Sequence, residues 1–232
     1  MAIGLFASFI QSLAGFGLTV VAMPLFLMIY EPHEIVLMIM LLALVLNIIF
    51  AWYLRKHMPR RFIMTLFLAS LPGEAAGLAV YHMASPEMLK IIIATIIILF
   101  LCIMSAKKIT MKETAFRTAL AGFLSGITTM CAAMGGPSVI LYLSAIGKDK
   151  TFSRGACIGY FLLSGITALL FFWIEGEDFS HAFPRAAMLL PFCLIGLWAG
   201  NKLFPYLSQN MFNKLVMVLL WFSAAYTLWA AL

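Results

Sequence analysis

Charge is what this sequence has least of. Only 10% of its 232 residues are Asp, Glu, Lys or Arg, against 64% that are hydrophobic, where a soluble domain carries about 25% charged and about 45–50% apolar residues. That shortage excludes a water-soluble enzyme and a disordered chain. The excess of 15 Lys and Arg over 9 Asp and Glu is not read as a nucleic-acid footprint, because in a membrane chain it marks the loops kept in the cytoplasm. Cys102, Cys131, Cys157 and Cys193 sit far apart in apolar runs, with no C-x-x-C pair and no nearby histidine; they read as buried free thiols, and no metal site is expected. No G-x-x-x-x-G-K-[ST] loop occurs, so ATP hydrolysis is not expected and no cofactor is implied. The apolar stretch after Met1 lacks the Lys or Arg of a secretory signal, so the first segment is expected to stay in the mature protein.

What fills the sequence instead is eight apolar segments. A helix needs about 20 apolar residues to cross ~30 Å of hydrocarbon while satisfying its own backbone. Six segments meet that length: Glu34–Leu54, Phe62–His82, Glu87–Ala106, Gly155–Ile174, Ala182–Phe204 and Met211–Leu232. Two others are interrupted near their midpoints, residues 3–29 by Gly15-Phe16-Gly17 and residues 119–146 by Gly135-Gly136-Pro137. Glycine does not stiffen a helix, and proline removes a donor and clashes with the preceding turn. Each interrupted run therefore reads as two half-helices joined by a break, or as one kinked helix. His33, His57, His82 and His181 fall at segment ends, and Trp52, Tyr53, Trp173 and Tyr206 fit an aromatic belt.

The two halves of the chain repeat. Gly4, Gly17 and Thr19 lie 118 residues before Gly122, Gly135 and Pro137, and Leu71-Pro72 with Gly77 is echoed by Leu190-Pro191 with Gly196. Charge placement then orients the halves. If both broken segments enter and leave on one face, thirteen of the 15 basic residues share a side and only Lys90 and Arg185 lie opposite. If both cross once, the division falls to nine against six. Lys and Arg in short loops favour the cytoplasm, so the first arrangement is preferred. The expectation is an all-α integral membrane protein of two inverted repeats, each a re-entrant broken helix plus three transmembrane helices. The first repeat covers residues 1–106, a basic cytoplasmic linker 107–118, and the second repeat 119–232, with both termini extracytoplasmic.

Broken helices between inverted repeats are a way secondary transporters build a substrate site. At each break backbone N–H groups lack an intrahelical acceptor and the next half-helix begins with partial positive charge, which suits a small oxyanion. These starts are expected near Leu18, Thr19 and Val20 and near Ser138, Val139 and Ile140. Polar side chains gather there: Ser8, Gln11, Ser12 and Thr19 in one segment, Ser125, Thr128, Thr129 and Ser138 in the other. They could complete an anion shell, or simply bond their own helices and let neighbours approach. The candidate substrate-binding residues are Gln11, Ser12, Gly15, Gly17, Thr19, Thr129, Gly135, Gly136 and Ser138, with Asn47 and Ser164 from equivalent places in the two halves. Glu74, two residues after Pro72, is an acid inside an apolar span; it is a proton-coupling candidate, or it stays solvated at a Pro-Gly break.

The run Ser12-Leu13-Ala14-Gly15-Phe16-Gly17-Leu18, Pro24, and Gly122 to Gly126 followed by Gly135-Gly136-Pro137 resembles the TauE/SafE sulfite exporter family over essentially the whole chain. The resemblance implies outward transport of sulfite, sulfonates or other small anions across the bacterial inner membrane, and the two glycine breaks are the positions it carries. The leading expectation is an alternating-access carrier with no enzymatic activity. The alternatives are an anion-selective channel and an intramembrane hydrolase using Ser138, which would need a general base that the peripheral histidines do not supply. The partners implied are a small anion and the lipid bilayer, with room for a homo-oligomer and none for nucleic acid.

Overall fold

Each helix begins where its sequence can close a first turn. Pro32 opens α3 (Pro32–Leu54) with its pre-set φ, and Glu34 sits in the first turn. The Thr114 hydroxyl caps α5 (Ala115–Ala132) by accepting from the Arg117 N–H, and the Asp149 carboxylate caps α7 (Lys150–Ile174) by accepting from Thr151 and Phe152. The other helices are α1 (Ala2–Ala14), α2 (Leu18–Phe26), α4 (Arg60–Met83), α6 (Gly136–Ala145) and α8 (Ala182–Leu203), the last followed by a 3-10 turn at Phe204–Tyr206. This is a computed structural model, and it describes residues 1–27, 29–85 and 110–208, together with 87–89, 91–92, 95–96, 98–99, 210–211, 214, 218 and 221.

Among the described residues α3, α4, α7 and α8, the last continued to Tyr206, are long and apolar enough to cross a membrane. Their 23–25 residues correspond to about 35 Å. Ile48, Leu68, Leu170, Ile195 and Trp198 are exposed along their outer faces, where apolar side chains meet lipid rather than water. The expected spans Glu87–Ala106 and Met211–Leu232 lie mostly outside the described residues, as does Cys102. Cys131, Cys157 and Cys193 are buried free thiols.

Two expectations are corrected. Helix α4 runs through Pro72, and α8 through Pro191, without ending, so no break admits water beside Glu74, which is 0% exposed. Helix α7 starts at Lys150, not near Gly155, because Asp149 caps it there. Arg154 is consequently a helix residue, 3% exposed, and not a loop cation.

Small residues let the helices approach to backbone contact. Gly73 and Gly77 of α4 face the backbone of Phe123 and Ile127 in α5, while Gly122 and Gly126 of α5 face Leu66 and Ser70 in α4. A Cβ at Gly77 would lie 2.6 Å from the Ile127 carbonyl oxygen. The same device joins α1 to α8, where Gly196 and Gly200 meet Leu5 and Phe9, and a Cβ at Gly200 would lie 2.6 Å from the Phe9 carbonyl oxygen. Lipid offers no hydrophobic drive for such seams, so van der Waals contact over closely spaced backbones holds them.

The bundle has a basic end and an acidic end. At the basic end Gly155, near the start of α7, packs on His57, and Arg154 reaches Asn201 near the end of α8. At the acidic end Glu34 pairs with Arg185, and His82 lies beside Glu175 and Glu177. Asp178 there accepts from the Ser180 N–H and hydroxyl, which hold its carboxyl below the ordinary carboxylate range.

Both broken segments turn back. Helix α1 runs along α8 from Leu189 and Cys193, which face Gly4, toward Gly200. After the break and α2, Tyr30 and Glu34 are back at Arg185 in the first turn of α8. The second segment also closes on itself: Met111 N–H donates to Ala145, Thr118 and Tyr142 share a hydrogen bond, and Lys148 pairs with Glu113 at 2.7 Å. The first hairpin thus opens toward the acidic end and the second toward the basic end.

Candidate functional site

The two breaks meet inside the bundle. Gly15, at φ 80°, ends α1 with its N–H on the Gln11 carbonyl at 2.7 Å, and Gly17, at φ 118°, precedes α2. That second value is open to glycine and strained for any other residue. In the other segment Ala133 takes the left-handed turn at φ 52°, and α6 begins at Gly136. The expected breaker Pro137 is in the first turn of α6, where its fixed φ fits and its missing N–H leaves no bond unmade. The break itself is Ala133-Met134-Gly135. The Phe16 ring of the first break lies against Gly136 of the second, where a Cβ would come 3.1 Å from it.

Between the breaks is a cavity of about 70 Å³, well above the ~10–15 Å³ needed to hold a water. It has room for a small oxyanion. Its walls come from both halves of the chain: Gln11, Thr129 and the two breaks, the first turns of α2 and α6, Met40 to Asn47 of α3, and Phe161 to Gly165 of α7. Of the residues expected in the site, Gln11, Gly17, Thr19, Asn47, Thr129, Gly135, Gly136 and Ser164 line this space. Ser12 does not, since its hydroxyl donates to Leu197 of α8 at 2.9 Å. Gly15 packs instead on the Arg154 backbone, and Ser138 is buried just beyond the lining.

Among the described residues no charged side chain lines the cavity. What it presents is dipoles. Helices α2 and α6 have no side-chain cap, so the N–H groups of Leu18, Thr19 and Val20, and of Gly136 and Ser138, lack intrahelical acceptors. The Gln11 amide donates to Asn47 Oδ1 at 2.9 Å. Gln11 Oε1, Thr129 Oγ1 and Ser138 Oγ are buried without a partner among the described residues, and an unpaired buried polar atom is costly unless a ligand or water completes it. Ser8, Thr128 and Ser125 take the structural option: Ser8 and Thr128 bond their own helices, and Ser125 donates to the Gly135 carbonyl at 2.7 Å, pinning the second break.

Behind Ser164 lies Glu74. Its carboxylate accepts from Ser164 and Thr167 of α7, each at 2.6 Å, and from Ser70 of its own helix at 3.2 Å. Sequence reasoning singles out Glu74 and, separately, Ser164, but not their pairing and not Ser70 or Thr167; the i, i+4 spacing of Ser70 from Glu74 and the i, i+3 spacing of Ser164 and Thr167 are the available signal. It also misses Arg154, whose guanidinium stacks over Phe204 and Phe50 at 3.9 and 4.8 Å and donates to Asn201 at 2.8 Å, with no carboxylate partner among the described residues. The apolar walls, Phe16, Met40, Met134 and Phe161, carry no chemical signal at all.

The family model described as sulfite exporter TauE/SafE matches residues 1–227 of the chain. No curated protein and no solved structure shows significant similarity to it.

Proposed function

Because the chain belongs to the sulfite exporter TauE/SafE family, a family of membrane transporters, we propose that it moves a small sulfur oxyanion, sulfite or a short sulfonate, out of a bacterial cell across the inner membrane. The observation that carries this reading is the uncharged cavity onto which two uncapped helix starts converge, with buried polar atoms left unpaired around it. N–H dipoles favour an anion there without a fixed cation that would hold it too tightly to release. Phe16 and Phe161 add apolar wall to the cavity.

We read the two hairpins as inverted repeats. Supporting this, they open toward opposite ends of the bundle, and each packs its first half-helix on the last described span of the other repeat, α1 on α8 and α5 on α4. Rocking of one repeat against the other would expose the cavity alternately. On this reading the basic end is cytoplasmic, both termini are outside, and residues 87–106 and 211–232 complete eight segments. The hydrolase alternative lacks support, as Ser138 Oγ has no hydrogen-bonding base within reach among the described residues.

The test is counterflow in proteoliposomes with a panel of sulfite, sulfonates and carboxylates. Saturable counterflow of the sulfur anions, lost in Gly17→Leu with insertion retained, is expected. A linear, unsaturable flux would identify a channel, and carboxylate counterflow without sulfur-anion counterflow would overturn the substrate class.

A further inference from the structure

Glu74 sits in the middle of a membrane-length helix, 0% exposed, and no lysine, arginine or histidine among the described residues pairs with it. The titratable groups facing it among the described residues are Tyr160 of α7, whose buried hydroxyl lies beside Ser70, Ser125 and Ser164, and Cys131 of α5, one turn further on against the Gly77 carbonyl. A charge so placed in low dielectric is retained for a reason. Three hydroxyls spend their hydrogens on it. Two of those hydrogens have another acceptor at hand. Ser70 also reaches the Phe67 carbonyl at 2.9 Å, and Thr167 the Ser164 carbonyl at 3.1 Å. Ser164 Oγ gives its hydrogen to Glu74 with the Tyr160 hydroxyl nearby, and Ser164 is the one of the three that lines the anion cavity.

We propose that Glu74 and Ser164 form a hydrogen-bond switch that makes anion binding and proton binding mutually reinforcing, so that the carrier moves one proton with each singly charged anion. With Glu74 ionised, the Ser164 hydrogen is committed to the carboxylate and a negative charge stands one residue behind the cavity. A proton on Glu74 removes that charge. The acid then donates to Ser164 Oγ, and the released Ser164 hydrogen turns to the cavity and donates to the anion, a charged and therefore stronger acceptor than the neutral Tyr160 hydroxyl nearby. Ser70 and Thr167 fall back on their helix carbonyls, so no donor is stranded. Linkage is reciprocal, and the bound anion holds the proton in place. Proton and anion therefore leave together, and export runs on the internal excess of the anion rather than on the membrane potential.

This inference rests on the transport reading above, and the experiment separates the two. Proteoliposomes of the full chain are assayed with methanesulfonate, which stays singly charged between about pH 6 and about pH 8. Wild type should accumulate it about tenfold for a pH gradient of about one unit, acid outside, and should ignore a potassium diffusion potential. Glu74→Gln should still exchange methanesulfonate but ignore the pH gradient, and should accumulate it about 50-fold per ~100 mV inside-positive, the equilibrium for a lone charge. Should Glu74→Gln fail to insert, Ser164→Ala serves: its KM should rise about tenfold at about pH 6 and change little at about pH 8. Potential-driven accumulation by wild type, dependence on sodium instead of pH, a pH-driven Glu74→Gln, or an equal KM rise at both pH values for Ser164→Ala each overturns the switch while leaving the transport reading standing. Absence of counterflow of any sulfur anion by wild type overturns both.

Discussion

The sharpest test of the site is a single methyl group at Gly17. Its φ of 118° lies outside the left-handed well that other residues visit, so alanine there stores about 1–3 kcal/mol of backbone strain. The new Cβ would also stand 3.1 Å from Ile10 Cγ2, close enough that the side chain must shift. The chain can relieve both by drawing the start of α2 away, which retracts the Leu18 and Thr19 N–H groups from the cavity. At that energy Gly17→Ala should lower anion affinity, read as counterflow KM, by about 5- to 150-fold. The matched control is Gly147→Ala. Gly147 has φ 69° and nothing within 4 Å of its added Cβ, so it carries left-handed strain of about 1–2 kcal/mol far from the breaks. It should lower the melting temperature slightly and leave KM alone. Wild-type KM in Gly17→Ala, or an equal KM defect in Gly147→Ala, would refute the claim that the first break holds the anion.

Other outcomes follow from the same geometry. Gly126→Ala should destabilise the α4–α5 seam by about 1–3 kcal/mol, because its Cβ meets the Ser70 carbonyl and the Glu74 backbone, and backbone cannot swing aside as a side chain can; a melting temperature equal to wild type in detergent would count against it. Arg154→Lys should lose the stacking on Phe204 and Phe50 and lower stability by about 1–2 kcal/mol in thermal unfolding, since an ammonium cannot reproduce a stacked planar fork. In a background without native cysteines, Lys148→Cys and Asp178→Cys should label from opposite faces of the membrane, Lys148→Cys from the cytoplasm; labelling of Lys148→Cys from the extracytoplasmic face would overturn the proposed arrangement of the second hairpin.

Much of the site is legible in the amino-acid sequence because its signals are backbone signals. Gly15 and Gly17 interrupt an apolar run, which marks a break or a kink there. The recurrence of Gly135 at the equivalent position, 118 residues on, points to a second break facing the first. Side-chain chemistry is less informative. Ser12 and Thr129 read alike in sequence, yet Ser12 is spent on Leu197 of α8 while Thr129 reaches the cavity unpaired among the described residues. Which way a hydroxyl points depends on the rotation of its helix against a partner far along the chain. Pro72 misleads for a related reason. A proline inside a span suggests an interruption, but α4 continues past it, in close contact with α5 through Gly73 and Gly77.

The sequence alone decides that the chain belongs in lipid and where its apolar runs are interrupted, because hydropathy and glycine are local properties that need no partner to be read. The meeting of the two breaks, the enclosure of Glu74 by three hydroxyls, and the burial of Arg154 are decided only by tertiary packing. Each depends on which glycines of one helix find the backbone of another, and residues such as Ser70 and Thr167, 97 positions apart, acquire a common role only once those contacts close.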